Sequence, residues 1–141
     1  MTDELWRRGA RQLADDIANK RTTSREVVEA HLARIAEVNP AVNAVVKVLA
    51  DDARRMADAA DRAVNEGRSL GPLHGVPMTI KENIDVAGQA TTHGVPLFAE
   101  AIAPTSSPAV ERMLAAGAIP IGRTNLPDMG LRIHTDSSLH G

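Results

Sequence analysis

The sequence predicts an α/β fold, with helices leading and strands alternating with helices behind them. Three observations carry that reading. Apolar residues recur at helical spacing through the first half. A β-branched run, Val45-Val46-Lys47-Val48, interrupts those helices. Later, Ser107-Pro108 opens a helix, Gly117 closes it, and residues 118–122 follow as a short apolar strand.

Taken in order, Leu5, Leu13 and Ile17 share one face, with Arg7, Arg8, Arg11 and Asp15 on the others. This predicts an amphipathic helix over about residues 2–20. Thr23-Ser24-Arg25-Glu26 has the form of a capping box, in which a hydroxyl and a carboxylate satisfy orphan N–H groups reciprocally. Val28, His31, Leu32 and Ile35 then form one stripe, and Asn39-Pro40 is expected to stop the helix. Residues 43–48 read as a strand. Ala53, Met56, Ala57, Ala60 and Val64 mark a third helix that ends at Gly67. Its alanine stripe predicts close approach to a neighbour or a peripheral position. Residues 71–99 are punctuated by Gly and Pro: a turn feeds a strand ending near Asn83, and Thr91-Thr92-His93-Gly94 is a polar loop. Ser107 caps the next helix, Pro108 takes its first position, and Val110, Met113 and Leu114 supply its apolar face.

Composition narrows the function. The 141 residues carry 16 Lys+Arg against 18 Asp+Glu, a net charge of −2, which argues against a dedicated nucleic-acid binder. At 43% hydrophobic and 24% charged, the chain is globular rather than disordered. It has no cysteine, which removes disulfide frameworks, thiolate nucleophiles and cysteine-based metal centres. Charges crowd the first twenty residues, so no secretory apolar segment fits there. The longest uncharged run, 86–99, is too short and polar to span a bilayer. A cytoplasmic setting is expected. Trp6 and Phe98 are the only aromatics, so the core is built from small side chains. Such a core packs densely or belongs to a larger folding unit.

Lys81 is the leading chemical candidate. If residues 76–83 are extended, Val76, Met78 and Ile80 share one face, and Thr79, Lys81 and Asn83 share the other. Glu82 then points away from Lys81. An amine on an apolar strand without its neighbouring carboxylate can be held neutral by desolvation. Acting as a base near neutrality requires about 4 kcal/mol of bias against the ammonium form. The competing reading is a strand-end lysine that reaches solvent. Histidines 31, 74, 93, 134 and 140 show no close metal-binding spacing, so no metal is expected. His31 reads as a packed or boundary histidine. Asp136, Ser137 and His140 crowd into one loop, whereas triads draw on separate elements. Gly71-Pro72-Leu73-His74-Gly75 lacks the residues of a phosphate loop.

At residues 71–98 the chain resembles the amidase signature family. Gly71-Pro72-Leu73-His74-Gly75-Val76-Pro77-Met78-Thr79-Ile80-Lys81-Glu82-Asn83 is similar to that family's G-P-L-x-G-(I/V)-P-(hydrophobic)-x-(hydrophobic)-K-(D/E)-N segment, and Thr91-Thr92-x-Gly94 continues it. Ala116-Gly117-Ala118 and Gly122-Arg123-Thr124-Asn125-Leu126-Pro127-Asp128-Met129 resemble its A-G-A and G-K-T-N-x-P-E-(F/M) segments. The stretch from Ser24 to Pro40 is similar to its N-terminal helix. Arg123 stands where lysine is commoner, and Glu82 where aspartate is.

The resemblance implies hydrolysis of carboxylic amides by a Ser–cis-Ser–Lys triad, with Lys81 as the ultimate base, no cofactor, and a small-molecule amide as substrate. It implies a large mixed sheet flanked by helices, of which residues 1–141 form an incomplete domain. Residues 1–67 are its mainly helical N-terminal region, and 68–141 are the strand and helix portion carrying the lysine motif. The family's serines lie in a Gly-Gly-Ser-Ser-Gly-Gly stretch that matches nothing here. Ser137-Ser138 is flanked by Asp136 and Leu139 instead of glycines. The chain is therefore expected to be an N-terminal fragment, inactive alone. Thr124, Asn125 and Asp128 are candidate pocket residues, with a structural turn role as the alternative. Neither nucleic acid nor membrane is expected as a partner. The competing functions are a non-enzymatic module that associates with other chains, with self-association through an unpaired sheet edge, and a Schiff-base enzyme using Lys81.

Overall fold

The computed structural model describes residues 4–141. A 3-10 turn at Leu5–Arg7 precedes α1 (Ala10–Ala18) and α2 (Ser24–Val42). Strand β1 (Val45–Val48), α3 (Ala50–Asn65), β2 (Pro77–Lys81), α4 (Pro108–Ala115) and β3 (Ile119–Thr124) follow. The strands form one mixed sheet of order β1-β3-β2. Strand β3 is antiparallel to β1 and parallel to β2, so β2–α4–β3 is a βαβ crossover. The predicted α/β class is therefore observed.

Two expectations about helix ends are corrected. The single helix over 2–20 is divided, and its first residues lie outside the described ones. Gly9 takes an extended conformation (φ −68, ψ 150) and caps α1 from there. The preceding turn places Trp6 beside the Arg7 and Arg34 guanidiniums, 4.7 and 4.4 Å from the ring centroid. Pro40 does not stop α2, which continues to Val42. Proline at this point forfeits one donor near the end of the helix. The true stop is Asn43 in the left-handed region (φ 46), which asparagine tolerates better than most residues. Asn39 bonds both Val45 N and Val45 O at 2.8 Å, tying the end of α2 to the start of β1.

The capping box at Thr23 and Glu26 is present as expected. A carboxylate the sequence did not single out reinforces it: Asp61 of α3 accepts from Ser24 N (2.7 Å) and Arg25 N (3.1 Å). Negative charge at a helix N-terminus also suits the macrodipole.

The core has three parts. Val28 and Leu32 of α2, Ala53, Ala57 and Ala60 of α3, and Ile119 and Ile121 of β3 form one. The alanine stripe of α3 thus lets two helices close on the sheet. Leu13, Ala14, Ile17, Val27 and Val76 form the second. Ile80, Val86 and Val110 form the third, beneath β2 and α4. Full burial of each Leu, Ile or Val contributes roughly 1.5–3 kcal/mol. Met56 and Met113, expected on apolar faces, remain 37% and 39% exposed. Each lies at the border of an open groove.

Candidate active site

Lys81 ends β2, and its Cα partner across the sheet is Thr124, the last residue of β3. The strand alternates as its pattern dictates. Val76 and Ile80 are buried, whereas Thr79 and Lys81 are exposed. Desolvation of Lys81 was expected, and this chain does not supply it. The reason is topological: β2 has a neighbour on one side only, and nothing among the described residues covers the other. Along that open side runs an apolar groove of about 350 Å³, lined by Met78, Ile80, Ile84, Val110 and Met113, with Lys81 and Thr124 at its polar end.

Glu82 turns the other way, as the alternation requires, and is 3% exposed. Its carboxylate accepts from Thr92 Oγ1 and lies 3.0 Å from His140 Nε2. Its backbone is held as well, with Glu82 N donating to Thr124 O (3.1 Å) and His93 N to Glu82 O (3.3 Å). Asp85 accepts from Thr91 Oγ1 at 2.6 Å. The polar loop expected at Thr91-Thr92 therefore anchors the turn that follows Lys81.

Arg123 lies beneath that turn and is fully buried. Its Nη2 donates to Lys81 O (3.2 Å) and Ile84 O (2.8 Å). Burial pushes its pKa down, and the nearby Glu82 and Asp85 charges push it back up. This cation, two carboxylates and two threonines fix the backbone on which Lys81 is carried.

The other candidate residues divide. Thr124 joins Lys81 at the groove. Asn125 is buried and directed elsewhere: its Nδ2 donates to Gly141 O (2.7 Å), and its Oδ1 accepts from Ser137 Oγ (3.0 Å). Asp128 accepts from the backbone N–H (2.7 Å) and hydroxyl of Ser138, which hold its carboxyl below the usual range. Asn125 and Asp128 thus both hold residues of the 137–141 segment. Ser137 and Ser138 are engaged with these two side chains, and His140 contacts Ser137 only through its backbone N–H (3.0 Å).

His31 bonds Val27 O and His74 bonds Ala60 O, both structural contacts. Among the described residues no cluster of three or more His, Asp or Glu has metal-binding geometry. Nor is any helix long and apolar enough to cross a membrane. Sequence reasoning missed Thr92, Arg123 and His140 as supports of the Lys81 turn. Arg123 alone left a signal, a charge inside an otherwise apolar strand. His140 lies 58 residues from its partner and left none.

Comparison with known proteins places this geometry in context. The amidase family model matches residues 26–141. Indoleacetamide hydrolase of Bradyrhizobium diazoefficiens is 45% identical over 137 residues, covering 97% of this chain and 26% of that protein. The crystal structure of a bacterial aryl acylamidase of the amidase signature family superposes with a TM-score of 0.89 at 31% identity, covering 96% of this chain and 28% of the other. Fatty acid amide hydrolase superposes with a TM-score of 0.93 at 24% identity, covering all of this chain and 26% of the other, a likeness of fold. The chain thus spans about a quarter of the length of these relatives.

Proposed function

The chain belongs to the amidase family, and from that premise we propose that it carries the general base of an amide hydrolase acting on a small-molecule carboxylic amide. Lys81 is that base. The observation that carries the proposal is the division of roles at the end of β2. Lys81 faces the open groove beside Thr124, while the adjacent carboxylate of Glu82 is turned away and occupied by Thr92 and His140. No nearby anion in the turn then locks the amine into an ion pair.

In this reading a serine hydroxyl attacks the amide carbon. Its proton passes through a second serine to Lys81 Nζ, and a tetrahedral oxyanion forms. The proton returns to the departing nitrogen as the C–N bond breaks, leaving an acyl-serine that water hydrolyses. The 141 residues contain no Gly-Gly-Ser-Ser-Gly-Gly stretch, so both serines are supplied by polypeptide outside them. That polypeptide also covers the groove and desolvates Lys81. Residues 1–67 serve as the helical support and 68–141 as the part of the catalytic sheet that bears the lysine. Thr124, at the groove, and Asn125 and Asp128, in the turn that follows it, are the proposed pocket residues. The setting is cytoplasmic, and no cofactor takes part.

Incubating the purified chain with a panel of aliphatic and aryl amides tests this reading, and no turnover is expected. Turnover abolished by Lys81→Ala would mean that a nucleophile exists within these residues. The second reading, a module that associates with other chains, is favoured by the uncovered side of β2.

A further inference from the structure

Arg123 is 0% exposed, and its neighbours along β3 from Ile119 to Gly122 are buried with it. A guanidinium is charged and donor-only, so burial is costly unless its N–H groups find acceptors. Here most do not. Nη2 is engaged, and both of its acceptors are main-chain carbonyls, Lys81 O (3.2 Å) and Ile84 O (2.8 Å). Nε and Nη1 are buried with no partner among the described residues. The Glu82 and Asp85 charges favour the cation, but Glu82 accepts from Thr92 and Asp85 from Thr91. An apolar side chain of similar volume would fill the same space without orphaned donors. What the arginine adds is its hold on one turn.

That hold bears on Lys81 in particular. Strand β2 bonds β3 through alternate residues: Ile119 N donates to Val76 O (2.8 Å) and Glu82 N to Thr124 O (3.1 Å). Lys81 is out of that phase, so its own N–H and C=O turn away from β3. Among the described residues its carbonyl is held by Ile84 N (3.0 Å) and by Arg123 Nη2. The side chains divide in the same way. Arg123 is the Cα partner of Ile80, and Thr124 that of Lys81. The guanidinium therefore leaves the sheet on the buried face of Ile80, and the amine on the face it shares with Thr124.

We propose that Arg123 is the positioning residue of Lys81: from the buried face it fixes the peptide that carries the amine, and so sets where Nζ stands toward the serine it serves. This inference rests on the reading of Lys81 as general base. Arg123 acts through the lysine and takes no part in the proton transfer itself. Displacing a reacting group by about 1 Å can cost about 10²-fold in rate, which is the scale expected when the grip on the Lys81 carbonyl is lost.

A double-variant cycle tests it, in a chimera of residues 1–141 with the part of the Bradyrhizobium indoleacetamide hydrolase that they do not match. Arg123→Met should lower kcat about 10²-fold and leave KM within about threefold. In the Lys81→Met background the same change should lower kcat no further, because the group it positions is already gone. Ile121→Val, a core change in the same strand, should lower the melting temperature and leave kcat unchanged. If Arg123→Met does not fold, Arg123→Gln is read in the same way. In the 141-residue protein, amide exchange at Ile84, whose N–H bonds Lys81 O, should quicken about tenfold or more in Arg123→Met. Exchange at Leu49, bonded to Ile121 O, should not change. This exchange measurement decides the matter if the chimera is inert. A folded Arg123 variant with the parent's kcat overturns the proposal. So does a loss that recurs in full in the Lys81→Met background, or an Ile84 amide that exchanges as before. The base reading fails by a different result, a folded Lys81→Met chimera as fast as its parent, so the two failures are told apart.

Discussion

Gly75 sits in the turn that delivers the chain into β2, and replacing it with alanine should cost about 2–5 kcal/mol. Its φ is +76, and an added Cβ would lie 2.1 Å from Ser24 Oγ, 2.9 Å from Ser24 Cβ and 3.0 Å from Ile17 Cδ1. The left-handed conformation costs an alanine roughly 1–2 kcal/mol. Overpacking against buried neighbours adds roughly 1–3 kcal/mol. The nearest clash is with a hydroxyl that is buried and, among the described residues, has no partner of its own. Ser24→Ala should therefore be neutral or stabilising by up to about 1 kcal/mol, since it removes an unsatisfied polar group. It also removes the 2.1 Å contact, so the double variant should recover about 1–2 kcal/mol relative to the sum of the singles. Urea denaturation followed by far-UV circular dichroism measures all three variants. A Gly75→Ala cost below about 1 kcal/mol, or one unchanged in the Ser24→Ala background, refutes the packing argument.

Three further outcomes are expected. Thr23→Ala loses one half of the capping box and should destabilise the chain by about 1 kcal/mol in the same denaturation assay. Glu29, paired with Arg54 and Arg25, has its carboxyl lowered from 4.5 to about 2. Because the folded value is depressed, this stabilisation is complete above pH 4.5 and is lost as pH falls toward 2. Carboxyl titration by NMR should place Glu29 near that value and return it toward 4.5 in Arg54→Met; an unmoved titration in that variant contradicts the assignment. His140→Ala leaves the buried Glu82 carboxylate with one fewer partner and should cost about 1–3 kcal/mol. It should also raise amide exchange across residues 137–141, and unchanged exchange there would show that the Glu82 contact does not hold the segment.

Much of the fold was legible because its signals are local. Thr23 to Glu26 and Ser107-Pro108 announce helix starts through hydrogen bonds made within four residues, and both caps form. The alternation from Val76 to Lys81 gave the facing of β2 and the turning away of Glu82, since a strand's period is fixed by its backbone. The errors arose where tertiary contacts override local rules. Gly9 reads as an ordinary helical position until Trp6 is seen against Arg7 and Arg34. Pro40 reads as a stop, yet near a helix end the loss of one donor is tolerated. Lys81 and Thr124 stand out in the sequence because their motifs are contiguous. The contacts of Asn125 and Asp128 with residues 137–141, and of Arg123 and His140 with the Lys81 turn, depend on how distant segments meet. No spacing in the sequence encodes them.

The most direct test of Lys81 as proton acceptor is a chimera joining residues 1–141 to the part of the Bradyrhizobium indoleacetamide hydrolase that this chain does not match. The chimera should hydrolyse that enzyme's amide. Its Lys81→Met variant should fold to the same melting temperature and lose about 10³-fold or more in kcat. A folded Lys81→Met chimera that turns over amide as fast as its parent contradicts the account.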